Sequence, residues 1–239
     1  MKKLILILFI LLCFALPSSA RMVIGSGAAP SAGVSRTGSV TDNHTSANTG
    51  TLSVTAPADA TYIVVGCSGY GVVNYFSTGT LTYGGDALAV ISDHDDLMAG
   101  TMGCVLCGLK APKTGAQDLV WNWAGTATLG QGGHIHIAFY KGVYQTTPIK
   151  AEGGMWNTST ATSTTGSLTA ATGDMFVGIA SADGTVNLVW TNATEVDDNT
   201  FNSDSGSYAE GAPTGNVTVS VTRGTSTHIT IAGVILDAE

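Results

Sequence analysis

The chain is predicted to be all-β, a two-sheet antiparallel sandwich of jelly-roll or Greek-key type, on three observations. No window of ten or more residues holds a clean helical period. Apolar runs of four to nine residues recur instead, separated by Gly, Pro, Asn, Asp and Thr. Charged residues make up only 11% of the chain, against about 25% in ordinary soluble domains, so Thr, Ser, Asn and Gly must cover the surface. Hydrophobic residues at 44% supply enough core to keep such a weakly charged chain folded.

The first element is an address rather than part of the fold. Lys2 and Lys3 precede an apolar run from Leu4 to Leu16, and Pro17-Ser18-Ser19-Ala20 ends in small residues. This is the pattern of a secretory signal peptide over residues 1–20, cleaved after Ala20, and the run is short for a membrane-spanning helix. Cys13 follows Leu12, so the small residue that a lipoprotein signal needs there is missing. Secretion follows as the expected localisation, to the medium, the periplasm or the cell surface, with no membrane insertion after cleavage. Residues 21–50 read as a leader and first strand, with Gly25 to Gly33 small and flexible. The sandwich domain is expected over 51–239.

Within it, strands are expected near 51–56, 61–69, 80–83, 86–92, 101–109, 117–123, 133–141, 174–181, 186–190, 216–222 and 227–236. Thr158 to Thr165 reads as a Ser/Thr-rich connection. Trp121 and Trp123 share a face with Leu119 and are expected in the core. A weak internal repeat accompanies the strands: Ser53-Val-Thr-Ala and Ile63-Val-Val-Gly66 return as Ser167-Leu-Thr-Ala and Met175-Phe-Val-Gly178. His134-Ile-His-Ile-Ala138 returns as His228-Ile-Thr-Ile-Ala232. A period of about 100 residues suits a sandwich assembled from two related sets of strands.

Charge excludes some partners. Two of the nine basic residues sit in the signal, leaving seven against 17 acidic ones, so nucleic acid and anionic lipid are repelled. Beyond residue 20 the three cysteines, Cys67, Cys104 and Cys107, are an odd number. Residues three apart on a strand point to opposite faces, so a disulfide from Cys67 to Cys104 or to Cys107 is more plausible than one between the latter two. All three as small buried thiols is the plainer expectation.

Several phrases resemble a family. Val64-Val-Gly66, Leu81-Thr-Tyr-Gly-Gly-Asp-Ala-Leu88, Ala111-Pro-Lys-Thr-Gly115, Phe139-Tyr-Lys-Gly-Val-Tyr-Gln-Thr-Thr-Pro-Ile149 and Thr172-Gly-Asp-Met-Phe-Val-Gly178 are similar to landmarks of β-sandwich domains of bacterial and phage-related secreted or appendage proteins. The resemblance spans roughly residues 50 to 237. It implies a fold and a setting, and no catalytic residue. The cysteines and the Asp93-His94-Asp95-Asp96 cluster depart from its pattern.

Candidate sites follow from residue chemistry. Asp93, Asp95 and Asp96 supply oxygen ligands for Ca²⁺, as do Asp197, Asp198 and Asp204 in a second polar stretch, with solvated loops as the simpler reading of both. His134 and His136 share one strand face and hold a metal if a third ligand approaches; His228 is the obvious third, but the internal repeat makes it the counterpart of His134, so a recurring polar strand start is the simpler reading. Trp156, Tyr75, Tyr70 and Phe76 are the aromatic candidates for stacking on sugar rings. Asn43, Asn157, Asn192 and Asn216 open glycosylation sequons, a by-product of Thr-rich composition in a bacterial chain. No nucleophile elbow, P-loop or zinc-protease motif is present in the sequence. The expected function is a secreted, non-enzymatic module with a structural or surface-attachment role, no cofactor, and self-association or a cell-surface component as partner. A carbohydrate-binding, lectin-like domain using Ca²⁺ and a polysaccharide partner is the alternative; a glycoside or peptide hydrolase is the third reading.

Overall fold

A computed structural model of the chain describes residues 33–70, 79–95, 102–123, 133–157, 161–201, 204–224 and 228–239, so the expected signal segment lies outside the described residues. Among the described residues every regular element is a strand. The first nine are β1 (Ser35–Thr45), β2 (Thr49–Ala56), β3 (Tyr62–Tyr70), β4 (Thr80–Tyr83), β5 (Asp86–Ala87), β6 (Ala89–Asp95), β7 (Met102–Lys110), β8 (Gly115–Asn122) and β9 (Gly133–Lys141). The next eight are β10 (Ile149–Asn157), β11 (Thr162–Ala170), β12 (Met175–Asp183), β13 (Leu188–Thr191), β14 (Thr194–Phe201), β15 (Asp204–Gly211), β16 (Gly215–Arg223) and β17 (Ile229–Leu236). The all-β, antiparallel expectation holds, but four sheets replace the expected two. Strands β2-β8-β4-β5 and β1-β9-β3-β7-β6 form the outer and inner sheets of a first half. Strands β11-β16-β13 and β10-β17-β12-β15-β14 form those of a second.

The reason for four layers is written in the burial of the strands. Outer strands alternate: in β8 Leu119 and Trp121 are buried while Asp118, Val120 and Asn122 are exposed, as expected when one face meets water. Inner strands do not. Strand β17 is buried at every residue and β9 at all but its last, so both of their faces must be covered. Ile63, Val65, Cys67, Ile135, Ile137 and Phe139 turn toward the first outer sheet, where they meet Val54, Leu119, Trp121 and Trp123. Phe176, Ala180, Ile229, Ile231 and Ile235 meet Leu168, Val219 and Val221 of the second. The remaining faces, carrying Val64, Leu106, Ala138, Val177, Ile179, Ala232 and Val234, pack the two inner sheets on each other. Each fully buried Val, Leu, Ile or Phe side chain among them contributes about 1.5–3 kcal/mol.

The internal repeat is real at the level of topology, since inner order β1-β9-β3-β7-β6 is reproduced as β10-β17-β12-β15-β14. The inner sheets face each other in reversed order: β1 lies near β14, β9 near β15, β3 near β12, and β6 near β10. That is an approximate two-fold relation about the β3–β12 contact. The histidine motifs match in register, because Ala138 faces Val64 across one strand pair and Ala232 faces Ile179 across the counterpart pair. These pairings make Val64 the counterpart of Ile179, so the matched phrases Ile63 to Gly66 and Met175 to Gly178 are three residues out of register.

The first strand expected within 21–50 is β1, and four strands were not expected: β10, β11, β14 and β15. In the polar stretch, residues 197–201 and 204–206 belong to the antiparallel pair β14 and β15, and 93–95 continues β6 rather than forming a loop. Asp, Ser and Gly disfavour strands on solvated surfaces, but here their partners are inside the protein.

A single carboxylate fastens the C-terminal end. Asp174 accepts from the backbone N–H of Ala171 (2.6 Å) and of Ala238 (3.0 Å), and pairs with Lys150 Nζ at 3.0 Å. Burial alone raises its pKa; the Ala171 N–H, Lys150 and the Ala238 N–H outweigh that and hold it below the ordinary 3.8. A lowered folded value gives stability that is present above 3.8 and lost as pH falls through the folded value. Asp174→Asn is therefore expected to cost about 1.5–3 kcal/mol near neutral pH, measured by urea unfolding. The gap to the unsubstituted protein closes as the solution is taken below 3.8.

Candidate functional site

The interface between the inner sheets is apolar along most of its length, but polar where β1 and β9 meet β14 and β15. Its residues come from paired strands. Asp42 and His44 on β1 stand directly opposite His136 and His134 on β9. Gly38, at φ 82°, lies in the irregularity between Thr37 and Thr41 that sets this register. From the other half, Asp197 and Asn199 on β14 lie opposite Tyr208 and Gly206 on β15, and strand alternation turns all four toward β9.

The contacts form one connected cluster. His136 Nδ1 lies 3.1 Å from Asp197 Oδ2 and 3.7 Å from Asp42 Oδ1. Asn199 Nδ2 donates to Asp42 Oδ2 at 2.7 Å, and His44 Nε2 binds the same oxygen. The His134 and His136 rings stack with centroids 6.0 Å apart, and His44 meets His134 edge-on. Gly206 makes room for this stack, since a Cβ there would lie 2.5 Å from His134 Cγ. Asp204 takes a hydrogen bond from Ser181 at 2.8 Å and stands 3.6 Å from His134 Nε2.

Burial governs the charges. His134 is pushed down to about 3, first by burial and then by its neighbours His136 and His44, so it is neutral near pH 7. Burial pushes the Asp204 carboxyl well above the ordinary carboxylate range. Asp197 is held below the usual range, chiefly by its hydrogen bond to His136. Both ring nitrogens of His134, Nε2 of His136 and Oδ1 of Asp42 are buried without a hydrogen-bond partner, an arrangement that costs about 1–3 kcal/mol per group in a closed interior.

A second run of polar groups continues from this cluster. Tyr208 stacks on His136, Tyr140 Oη lies 2.6 Å from Tyr208 Oη, and Tyr140 donates to Glu210 Oε1 at 2.6 Å. With its own proton committed to Glu210, Tyr140 accepts from Tyr208. Burial, first of all, pushes both tyrosines well above 10. Arg36 Nε closes the run 3.6 Å from Glu210 Oε2.

The expected sites fall differently. Asp197 and Asp198 point to opposite faces of β14, and Asp204 is paired on β15, so the three carboxylates do not converge as a calcium cage. Asp198 instead lies on the side of Glu195, and burial raises it. Asp93 occupies the opposite face of β6 from His94. Its charge, after burial, helps raise the Cys107 thiol to about 12. The side chain of Asp95, and Asp96 altogether, lie outside the described residues, as do Tyr75, Phe76 and the Tyr70 side chain. Trp156 is half-buried on β10, whereas its neighbour Met155 is exposed.

The disulfide from Cys67 is not formed. Cys67 stands opposite Val105, two residues out of register with Cys107 on the same face, while Cys104 is turned to the other face. There its Sγ lies 3.8 Å from the Thr230 carbonyl oxygen. All three remain buried thiols. His228 is not the third partner of His134 and His136. It precedes β17 at the counterpart position, with its carbonyl bound by Arg223, and Asp42 takes that place. Asp42 escaped the sequence reading because it lies 92 residues before His134, in the segment read as leader and first strand; only strand pairing brings them together.

The chain matches no protein-family model, no curated protein and no solved structure.

The tyrosine run separates two kinds of loss. Tyr140→Phe strips Glu210 and Tyr208 of their shared partner and is expected to cost about 1–3 kcal/mol. Tyr208→Phe removes one donor and is expected to cost about 0.5–1.5 kcal/mol. Denaturant midpoints with unchanged slopes measure both.

Proposed function

We propose that this chain is an exported, non-enzymatic β-sandwich module with a structural or surface-attachment role. One observation carries the reading. The cluster around His134, His136 and Asp204, whose side chains are fully buried, lies between the inner sheets, where it is bound across the junction of the two halves. The outward faces carry Thr51, Ser53 and Thr55 on one side and Thr169, Asn216 and Thr218 on the other. Groups so placed serve cohesion rather than turnover, because a catalytic carboxylate or imidazole must reach a substrate. The strand order β1-β9-β3-β7 against β2-β8-β4 supports the jelly-roll form of the sandwich. The lysine pair, apolar run and Ser18-Ser19-Ala20 support export with a mature start near Arg21, and the resemblance to secreted and appendage sandwich domains supports the setting.

A carbohydrate-binding role is the second reading, favoured by one feature. An open concavity of about 580 Å³ is lined by Asn192, Thr194, Pro213, Thr214, Asn216 and Thr218. Asn192 is held there in a left-handed conformation, φ 64°, by its Nδ2 donating to the Thr218 carbonyl, and such fixed amides and hydroxyls suit sugar hydroxyls.

A broad glycan array with the secreted protein separates the readings. The structural role predicts no retention, and predicts that Trp156→Ala acts on stability alone. Retention that Asn216→Ala or Trp156→Ala weakens by about 1–3 kcal/mol favours the lectin reading. Turnover of a polysaccharide or peptide that is lost on substitution of the acidic residues overturns the non-enzymatic reading. Intact mass of the exported product tests the start at Arg21.

A further inference from the structure

The buried cluster on β1 and β9 has the composition and support of a metal centre. A ring nitrogen of His134, one of His136 and a carboxylate oxygen of Asp42 lie within 4.8 Å of one another. Both histidines are almost fully buried, at 1% and 0% exposure. Their arrangement differs from that of a self-satisfied core network. Asp42 Oδ2 is taken up by Asn199 and His44, and His136 Nδ1 by Asp197, whereas Asp42 Oδ1, His136 Nε2 and both nitrogens of His134 make no hydrogen bond. Ligating side chains show this asymmetry: an outer partner fixes the ring or carboxylate, and the remaining lone pair is kept for the ion. Gly206 adds a second constraint, since any larger residue would displace the His134 ring from its place in the cluster.

We propose that Asp42, His134 and His136 bind a divalent transition-metal ion of the zinc class, with Asp197 as the positioning residue that orients His136. Two imidazoles and a carboxylate are borderline donors suited to such an ion, whereas Ca²⁺ takes six to eight oxygens. Bonds of about 2.0–2.2 Å set neighbouring donors in a tetrahedron roughly 3.3–3.5 Å apart, so closing from 4.8 Å takes a side-chain adjustment rather than movement of strands. The carboxyl groups of Asp42, as ligand, and of Asp197, beside His136, are the acidic groups that meet the charge of the ion. The ligands come from the first half of the chain, and Asn199 and Asp197, which hold Asp42 and His136 in place, come from the second, so the site is complete only when the halves have folded together.

The test uses the full secreted chain, unfolded with a chelator and refolded with Zn²⁺ or Co²⁺. One ion per chain is expected, with a higher thermal midpoint than the metal-free protein. The Co²⁺ form is expected to show ligand-field bands of a four-coordinate site and no sulfur-to-cobalt charge transfer. Asp42→Asn and the double variant His134→Gln, His136→Gln should lose the ion. Asp197→Asn should keep the stoichiometry but weaken affinity about 10–100-fold. Failure of the unsubstituted protein to retain either ion, a sulfur charge-transfer band that assigns the ion to the cysteines, or undiminished binding by Asp42→Asn overturns the proposal. Should the double variant not fold, the Co²⁺ spectrum of the unsubstituted protein and the Asp42→Asn result decide it.

Discussion

Everything in this fold depends on two antiparallel sheets that are each covered on both faces. A solvated antiparallel sheet keeps one polar face, and the outer sheets do so. Strands β9, β12 and β17 cannot, because they hold Ile135, Phe176 or Ile231 on one side and Ala138, Val177 or Ala232 on the other. Separating the halves would expose the second set to water. The pairing of the halves is therefore part of folding rather than a later association of two finished domains.

That constraint also dictates what polar residues in the junction must do. No water-facing position is open to His136 or Asp204, so Asp204 is held by Ser181 and His136 by Asp197. The approximate two-fold relation makes the specialisation visible. Where β9 carries His136, the counterpart on β17 is Thr230, whose hydroxyl donates to the His94 carbonyl at 2.9 Å. One side of the junction has become a histidine and carboxylate cluster. The other has kept small hydroxyl and thiol groups, with His94 3.7 Å from Glu152 at its margin.

How much could be read from the sequence follows from which face a strand turns to what. The boundaries of β9 stood out because His134 and His136 alternate with Ile135 and Ile137, and Trp121 and Trp123 were legible as core from the Leu119 face. Strands β14 and β15 were not. Asp197, Asp198, Ser205 and Ser207 are turn-forming types, and nothing local reveals that Ser207 binds the Trp190 indole at 2.8 Å or that Tyr208 reaches Tyr140. The number of sheets was missed for a related reason. Continuous burial of 62–69 and 229–236 implies cover on both sides, yet a run of apolar residues also fits one face of a thick core. The donor set of the site was half legible: two histidines two apart, but not Asp42, which only the register of β1 against β9 supplies.

The central claim is that the two inner sheets form one cooperative unit, and native-state hydrogen exchange of the metal-free protein tests it most directly. The account predicts that amides of β3 and β9 in the first half and of β12 and β17 in the second exchange only through one global opening. Their opening free energies should agree and fall together as denaturant is added. If the amides of one half exchange through an opening of clearly lower free energy, with its own denaturant dependence, the halves are separate folding units and the account is contradicted.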